Sequence, residues 1–299
     1  MEKIRLCYIG ELVRTPDAMD HLGIRQGLES YESLIVDPVL NPPDVAARLV
    51  ADFKPDLVIH GNTDSLGQFL AGKIRELCDT KQAFWMLDYQ PHEELYQWQN
   101  WETTNYDAIF LSNKSQLEMW SRRFKCPTYY LTHGCVVQPL VRDHNFYHKC
   151  VFIGSMTDGG WYKDRFDLLK ELEFDLITGD GVEGRNQVWR DMPAIYHTAD
   201  CVIDISHSWT ADGYASGRYF YTAGLGACSI TKRFPGCEEL YPITCKAYFD
   251  TPEEASELIE YYSTHEKERE EMKLKAWEWN RDHHHYKLKF KEIISKVCD

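Results

Sequence analysis

The chain has 299 residues, 43% of them hydrophobic and 27% charged, with 47 acidic against 33 basic side chains and a net charge of −14 at pH 7. That length and apolar content exclude a disordered chain and suit two packed domains of roughly 100–200 residues each. The acidic balance makes the chain as a whole repel polyanions, which disfavours nucleic acid or an anionic membrane as partner and leaves only local basic patches for such contacts. Ten cysteines occur without a CxxC pair, which predicts reduced thiols in a cytoplasmic protein. The opening MEKIRLCYIG enters a strand with no signal-peptide layout, and no apolar run approaches the about 18 residues that suggest a membrane span.

In chain order, IRLCYIG predicts a strand ending at Gly10, followed by a helix from about Ala18 to Ser30. ESLIVDP and DVAARLVADF give a second strand and helix, and PDLVIHGN and LGQFLAGKIREL a third pair. QAFWMLD is a strand ending at Asp88, YDAIFLSN a strand followed by the helical KSQLEMWSRRF, and TYYLTHG closes the series. The pattern lapses over VQPLVRDHNFY, which reads as a connector. A second series then begins, with the strand KCVFIGS, the helix DRFDLLKEL, the strand EFDLITGDG, and PAIYHTA leading into the strand CVIDIS. A hydroxyl-rich loop, a helix and the strand CSIT follow, then the short strand CKAYFD. Thr251 and Pro252 cap one long helical region, PEEASELIEYYSTHEKEREEMKLKAWEWNRD, and YKLKFKEIISKV is a last amphipathic helix. Strands alternating with helices predict parallel sheets covered on both faces. The expected fold is α/β, with two doubly wound Rossmann-like domains, 1–140 and 141–299, facing across a cleft, and with the terminal helices packing back on the first domain.

In open α/β sheets ligands bind beyond the carboxyl ends of the strands, where helix N-termini favour anions. The loop after CVIDI carries Ser206 and ends in Ser216, Gly217 and Arg218, a hydroxyl, a backbone open to close approach and a planar cation that suit a diphosphate. Two other strand ends in this half carry Gly154 and Ser155 with Lys163 and Arg165 beyond them, and Gly179 with Gly181. In the first half, Glu11, His60, Asp64 and Asp88 stand at strand ends. Asp88, trailed by the aromatic YQPHEELYQW, and His60 are the candidate general bases for an acceptor hydroxyl. The triplet His283, His284 and His285 does not share one helix face and lacks companion carboxylates, so no metal site is expected. Trp277 and Trp279 read as core anchors.

The phrases VFIGS, LITGDG, AIYHTADCVIDIS, SGRYFYTAGLGACSIT with GCEELYP, and EEASELIEYYSTHEKERE resemble the GT-B glycosyltransferases, within them the spore-maturation CgeB-like group. WMLDYQP and YDAIFLSN look like the same group. The resemblance implies a nucleotide-diphosphate sugar, a UDP-sugar, held by the second domain as co-substrate, an acceptor met by the first domain, and chemistry without a dissociable metal or other cofactor. Gly154, Ser155, Lys163, Arg165, Gly179, Ser206, Ser216, Gly217, Arg218 and Tyr221 are the expected donor-binding residues. Many relatives have a Glu three residues after the Arg to hold the donor ribose. This chain has Tyr221 there, a phenol that brings one hydrogen bond and no charge.

The acceptor is a small molecule, glycan or protein in the first reading. The chain also resembles phage enzymes that glycosylate hydroxymethylated pyrimidines in DNA, which would place it in a host cytoplasm. Through Asn145 there are 14 Lys plus Arg against 20 Asp plus Glu, a balance of −6, whereas a duplex binder shows a basic face. Arg122, Arg123, Lys125 and the terminal KLKFK leave room for a local basic track. A third reading is a non-catalytic nucleotide-sugar-binding module in which Tyr221 marks a lost activity.

Overall fold

The computed structural model describes residues 3–10, 19–61, 65–88, 105–140, 143–154, 158, 160–178 and 185–298. The chain divides into two compact units. The first comprises Met1–Pro16, Ile24–His133 and Tyr286–Asp299, and the second Asp17–Gly23 and Gly134–His285.

In the first unit β1 (Arg5–Ile9), α1 (Met19–Leu28), β2 (Glu32–Val36), α2 (Pro43–Phe53), β3 (Leu57–Gly61), α3 (Ser65–Leu77), β4 (Lys81–Met86), β5 (Ala108–Leu111), α4 (Leu117–Phe124) and β6 (Thr128–Tyr130) follow one another, although the first turn of α1 belongs to the second unit. The strands form one parallel sheet in the order β2-β1-β3-β4-β5-β6. Alternate residues of a strand point to opposite faces, and both faces here are covered. Cys7 and Ile9 pack with Ala46, Val50 and Ile74 of α2 and α3. Leu6, Tyr8 and Trp85 pack with Tyr286, Phe290 and Ile293 of the last helix, α11 (Tyr286–Val297). Burial on both sides explains why these strands read as continuous apolar runs. The ring of Phe290 meets Trp85 and Tyr8 edge-on, with centroids 6.1 and 6.3 Å apart.

The second unit holds β7 (Cys150–Ile153), α5 (Lys163–Leu169), β8 (Leu176–Thr178), α6 (Arg185–Thr198), β9 (Cys201–Asp204), α7 (Gly217–Gly224), β10 (Ser229–Lys232), the single turn α8 (Cys237–Leu240) and β11 (Ala247–Phe249). α9 (Pro252–Thr264) and α10 (Glu266–His283) complete it. Its parallel sheet has the order β11-β10-β9-β7-β8. In each sheet the direction of strand addition reverses between the first and third strands, β1 and β3 in one and β7 and β9 in the other. Those are the topological switch points at which α/β sheets open a crevice.

Two features differ from the sequence reading. PAIYHT belongs to α6, which runs through Pro193. The long C-terminal helix is interrupted at His265 (φ −108°, ψ 71°), because Ser263 and Thr264 turn their hydroxyls onto the carbonyls of Ile259 and Glu260, at 2.6 and 3.0 Å. Such back-bonding competes with helix propagation. Its start is capped as the sequence indicates, with Thr251 Oγ1 accepting from Glu254 N at 3.3 Å and Pro252 in the first turn.

His60 corrects the list of candidate bases. It lies in the middle of the first sheet, fully buried, its Nε2 2.9 Å from Gln82 Oε1 and its ring edge-on to Tyr106. A ring with no exposed atom is out of reach of an external hydroxyl. Burial pulls its pKa down from 6.5 to about 4, against the bond to Gln82. Between those values the unfolded chain binds a proton that the folded one does not, so stability present above pH 6.5 is lost as the pH falls toward 4, by about 3 kcal/mol from this group. Urea unfolding of wild type and His60→Asn across that range checks this, with a flatter acid limb expected in the variant. Parallel limbs would contradict it.

Candidate functional site

The most organised polar arrangement of the second unit stands at its switch point. β7 and β9 end side by side, and α7 begins after the loop that follows β9. Arg218, the second residue of α7, reaches back to both strand ends. Its Nε donates to the carbonyl of Ile153 at 2.7 Å and its Nη1 to that of Ile205 at 2.8 Å. Phe152 lies beneath, with the guanidinium carbon 4.7 Å from the ring centroid. A β-carbon at Gly154 would stand 1.9 Å from Nη2, so any other residue there would displace the Arg218 side chain. Both acceptors are neutral carbonyls, so neither balances the positive charge.

A second guanidinium shares the same ring. Arg165, on α5 and only 3% exposed, lies 5.8 Å from the Phe152 centroid and 4.6 Å from that of Tyr162. Buried Tyr196 of α6 lies by Arg218; burial raises its phenol pKa and the Arg218 charge partly offsets this. Two guanidiniums thus share one aromatic ring at this strand-end crevice, a placement of positive charge that suits an anion.

The loop is fixed by its own hydroxyls. Ser206 Oγ accepts from Ser216 N at 3.0 Å and donates to Ser216 Oγ at 3.3 Å. Ser216 is the N-cap of α7, in extended conformation, and its side chain makes no cap bond. The first amides of α7 therefore receive no help from that hydroxyl, which suits a helix start that takes an external acceptor. His207 turns its Nδ1 to the Tyr214 hydroxyl at 3.0 Å, and its ring meets those of Tyr214 and Tyr162 edge-on. A β-carbon at Gly217 would lie 2.2 Å from the Tyr221 hydroxyl, so the phenol sits where a side chain would otherwise stand.

Below this layer, Asp204 Oδ2 pairs with Lys246 Nζ at 3.0 Å, both side chains nearly or fully inaccessible. Lys246 also donates to Thr222 Oγ1 of α7 at 2.8 Å and lies 4.3 Å from the Tyr219 ring centroid. Burial lowers the Lys246 pKa, and Asp204 opposes that effect. β9, α7 and the chain before β11 are thus joined by one buried charge pair.

Of the residues singled out in the sequence, Gly154, Arg165, Ser206, Ser216, Gly217 and Arg218 are brought to this switch point. Tyr221 is buried in the apolar cluster of Val151, Ile153 and Tyr196, its hydroxyl folded back over Gly217. Lys163 is not drawn in, for it is exposed and paired with Asp167 one turn on at 2.5 Å. Ser155, Gly179, Gly181, Glu11 and Asp64 lie outside the described residues. Asp88 is exposed, two residues past β4. The carbonyl before it, of Leu87, accepts from Ser112 Oγ at 2.7 Å and from His133 Nε2 at 2.8 Å, which fixes that strand end. Phe152, Tyr162, Tyr196, His207 and Tyr214 escaped the sequence reading. The only signal was aromatic density beside the basic residues of GGWYKDR and in DGYASGR.

The histidine triplet serves packing. His283 stacks on Trp279, and His284 is buried on Tyr241 with its Nε2 3.0 Å from the Leu240 carbonyl. Among the described residues no group of three His, Cys, Asp or Glu is placed to hold a metal ion, and no helix is long and apolar enough to cross a membrane.

The sequence profile of the glycosyl transferase-like family matches residues 136–295, more than half of the chain. The chain belongs to that family. Its fold is that of the GT-B glycosyltransferases, as solved structures show. Sucrose-phosphate synthase from Thermosynechococcus elongatus is similar with a TM-score of 0.66 at 9% identity, over 98% of this chain and 99% of that one. T4 phage BGT in complex with its UDP-glucose substrate gives 0.58 at 10% identity, over 98% and 99%. Anabaena HepE in complex with UDP and glucose gives 0.56 at 12%, over 98% and 100%. No curated protein matches the sequence.

The buried pair yields a stability test. Lys246→Met strands the Asp204 carboxylate in an apolar interior and is expected to cost about 3–5 kcal/mol, while adding Asp204→Leu recovers much of it. Thermal melts of the single and double variants check this. A single variant as stable as wild type would mean that the pair does not hold α7 in place.

Proposed function

We propose that the protein is a glycosyltransferase of the CgeB-like group, moving a sugar from a UDP-sugar to a hydroxyl of a small molecule, glycan or protein. The observation that carries this reading is the Arg218 guanidinium, anchored by two carbonyls at the β7/β9 switch point beside Gly154 and the start of α7. Two of the similar structures contain UDP or UDP-glucose, which supports the choice of donor. Residues 141–299 take the donor and residues 1–140 the acceptor in this reading. The overall charge of −14 favours a non-polyanionic acceptor over duplex DNA.

The chemistry follows from charge. The bond between the anomeric carbon and the diphosphate oxygen breaks, and its electron pair leaves on the UDP. Arg218, Arg165 and the amides of Gly217 and Arg218 stabilise that growing charge as fixed, pre-oriented donors, without a dissociable metal. The acceptor oxygen forms the new bond to the anomeric carbon and gives its proton to a base, which we assign to Asp88.

Arg218→Lys keeps a charge but loses the fork that bridges Ile153 and Ile205. UDP affinity is expected to fall by about tenfold or more, the loss of one charge-assisted contact. Calorimetry showing wild-type UDP affinity in a normally folded variant would remove the diphosphate seat from this site.

For the base, Asp88→Asn should leave UDP affinity unchanged and lower turnover by about a hundredfold or more. Turnover is best followed as UDP release in EDTA, where the wild type should remain active. A fully active Asp88→Asn would move the base elsewhere, and wild-type activity abolished by EDTA and restored by manganese would replace the metal-free account.

A further inference from the structure

The outer face of the first unit carries apolar side chains that neither its sheet nor the donor site accounts for. Among the described residues ten large apolar side chains are exposed, and six of them, Val39, Leu40, Val45, Leu49, Phe69 and Leu77, belong to α2, α3 and the turn before α2. Their accessibility runs from 41 to 57%. The other faces of both helices are already in use, since Ala46, Ala47, Val50, Leu70 and Ile74 pack onto β1, β2 and β3. A helix that is apolar on both faces is one that is covered on both, and contiguous exposed patches of this type mark interaction surfaces.

The patch is tied across the two helices. Lys73 of α3 lies 5.0 Å from the Phe69 ring centroid and pairs with Asp44 in the first turn of α2 at 2.5 Å. Phe69 and Val45 thus flank one ion pair. The turn before α2 is fixed as well, with Asp37 Oδ1 accepting from Val39 N at 2.9 Å and the Asp37 carbonyl from Asn41 N at 3.1 Å.

Charge identifies the occupant. The chain stands at −14, so most of its surface repels a copy of itself. α2 and α3 carry Asp44, Asp52 and Glu76 against Arg48, Lys73 and Arg75, a balance of zero, which gives neither a polyanion nor a polycation a preferred grip. The exposed stripe of α2 reads Val45, Arg48, Leu49, Asp52, with a cation on one side of Leu49 and an anion on the other. A two-fold contact requires a surface complementary to itself. We propose that this face is a two-fold interface between copies of the chain, with α2 antiparallel to α2 of the second copy about an axis at Leu49. At about 1.5 Å of rise per residue, Arg48 then stands within about 3 Å, measured along the helix, of Asp52 of the partner subunit. The symmetry forms that pair twice, while Val45 and Phe69 extend the apolar contact.

Sedimentation equilibrium of the full chain over a hundredfold range of concentration tests this. The wild-type mass is expected to rise from that of a monomer toward twice that value. Leu49→Glu brings two carboxylates together at the axis, and it should weaken association by about tenfold or more, as should Phe69→Glu. Arg48→Asp should also weaken it, and adding Asp52→Arg should restore most of the loss by reversing both pairs. All four side chains are exposed, so thermal melts of the variants should match wild type. A wild type that stays monomeric throughout overturns the proposal, and one that instead binds neutral phosphatidylcholine vesicles through Phe69 assigns the face to a lipid surface. A dimer indifferent to Leu49→Glu and Phe69→Glu lies elsewhere on the molecule and overturns it equally. Failure of Asp52→Arg to rescue Arg48→Asp would exclude the antiparallel pairing of α2.

Discussion

The second unit depends on how a parallel sheet ends where its winding reverses. At that point two neighbouring strands send their connections to opposite faces, and their last carbonyls are left without a strand beyond them. Here the guanidinium of Arg218 satisfies the carbonyls of Ile153 and Ile205 together. A planar fork can span two acceptors in a way that an ammonium cannot. The same bonds hold the cation in place, and in the proposed donor seat such preorganised charge is what electrostatic stabilisation of a leaving group requires.

Rigidity is reinforced from below. The Asp204–Lys246 pair would lose hydration without full recompense if stability alone were at stake, since buried ion pairs often break even at best. Its partners suggest what it specifies. Asp204 ends β9, Lys246 precedes β11 and Thr222 faces them from α7, so only one register of the helix on the sheet satisfies all three. Tyr219 adds its ring to the lysine and its hydroxyl to the carbonyl of Cys237 at 2.8 Å. Above this layer, the N-terminus of α7 inherits a fixed position.

Much of this architecture was legible in the sequence, because buried parallel strands announce themselves as short apolar runs and both series of such runs became sheets. That Ser206, Ser216, Gly217 and Arg218 meet at one strand end was legible for a similar reason, since they stand in one loop between an apolar run and a helix. Contacts set by tertiary packing were not legible. Lys163 stands in the sequence beside Arg165, and the structure sets it exposed and next to Asp167 four residues on. His60 looked like a strand-end base, yet the strand continues one residue further and the ring points inward to Gln82. The start of α1 was not legible either, because nothing in MDHLG says that it joins a unit built from residues more than a hundred positions away.

The place of α11 carries a consequence for how the chain is made. Tyr286, Phe290, Ile293 and Ile294 complete an apolar layer on β1, β3 and β4, so the first unit closes its core with residues made long after its sheet. At about 5–20 residues per second, synthesis of the intervening stretch takes on the order of ten seconds or more. For that time the nascent first sheet exposes Leu6, Tyr8, Ile59 and Trp85 on one face. The encoded order of segments thus leaves that face uncovered until α11 is made, and makes loss of α11 a lesion of the first unit's core.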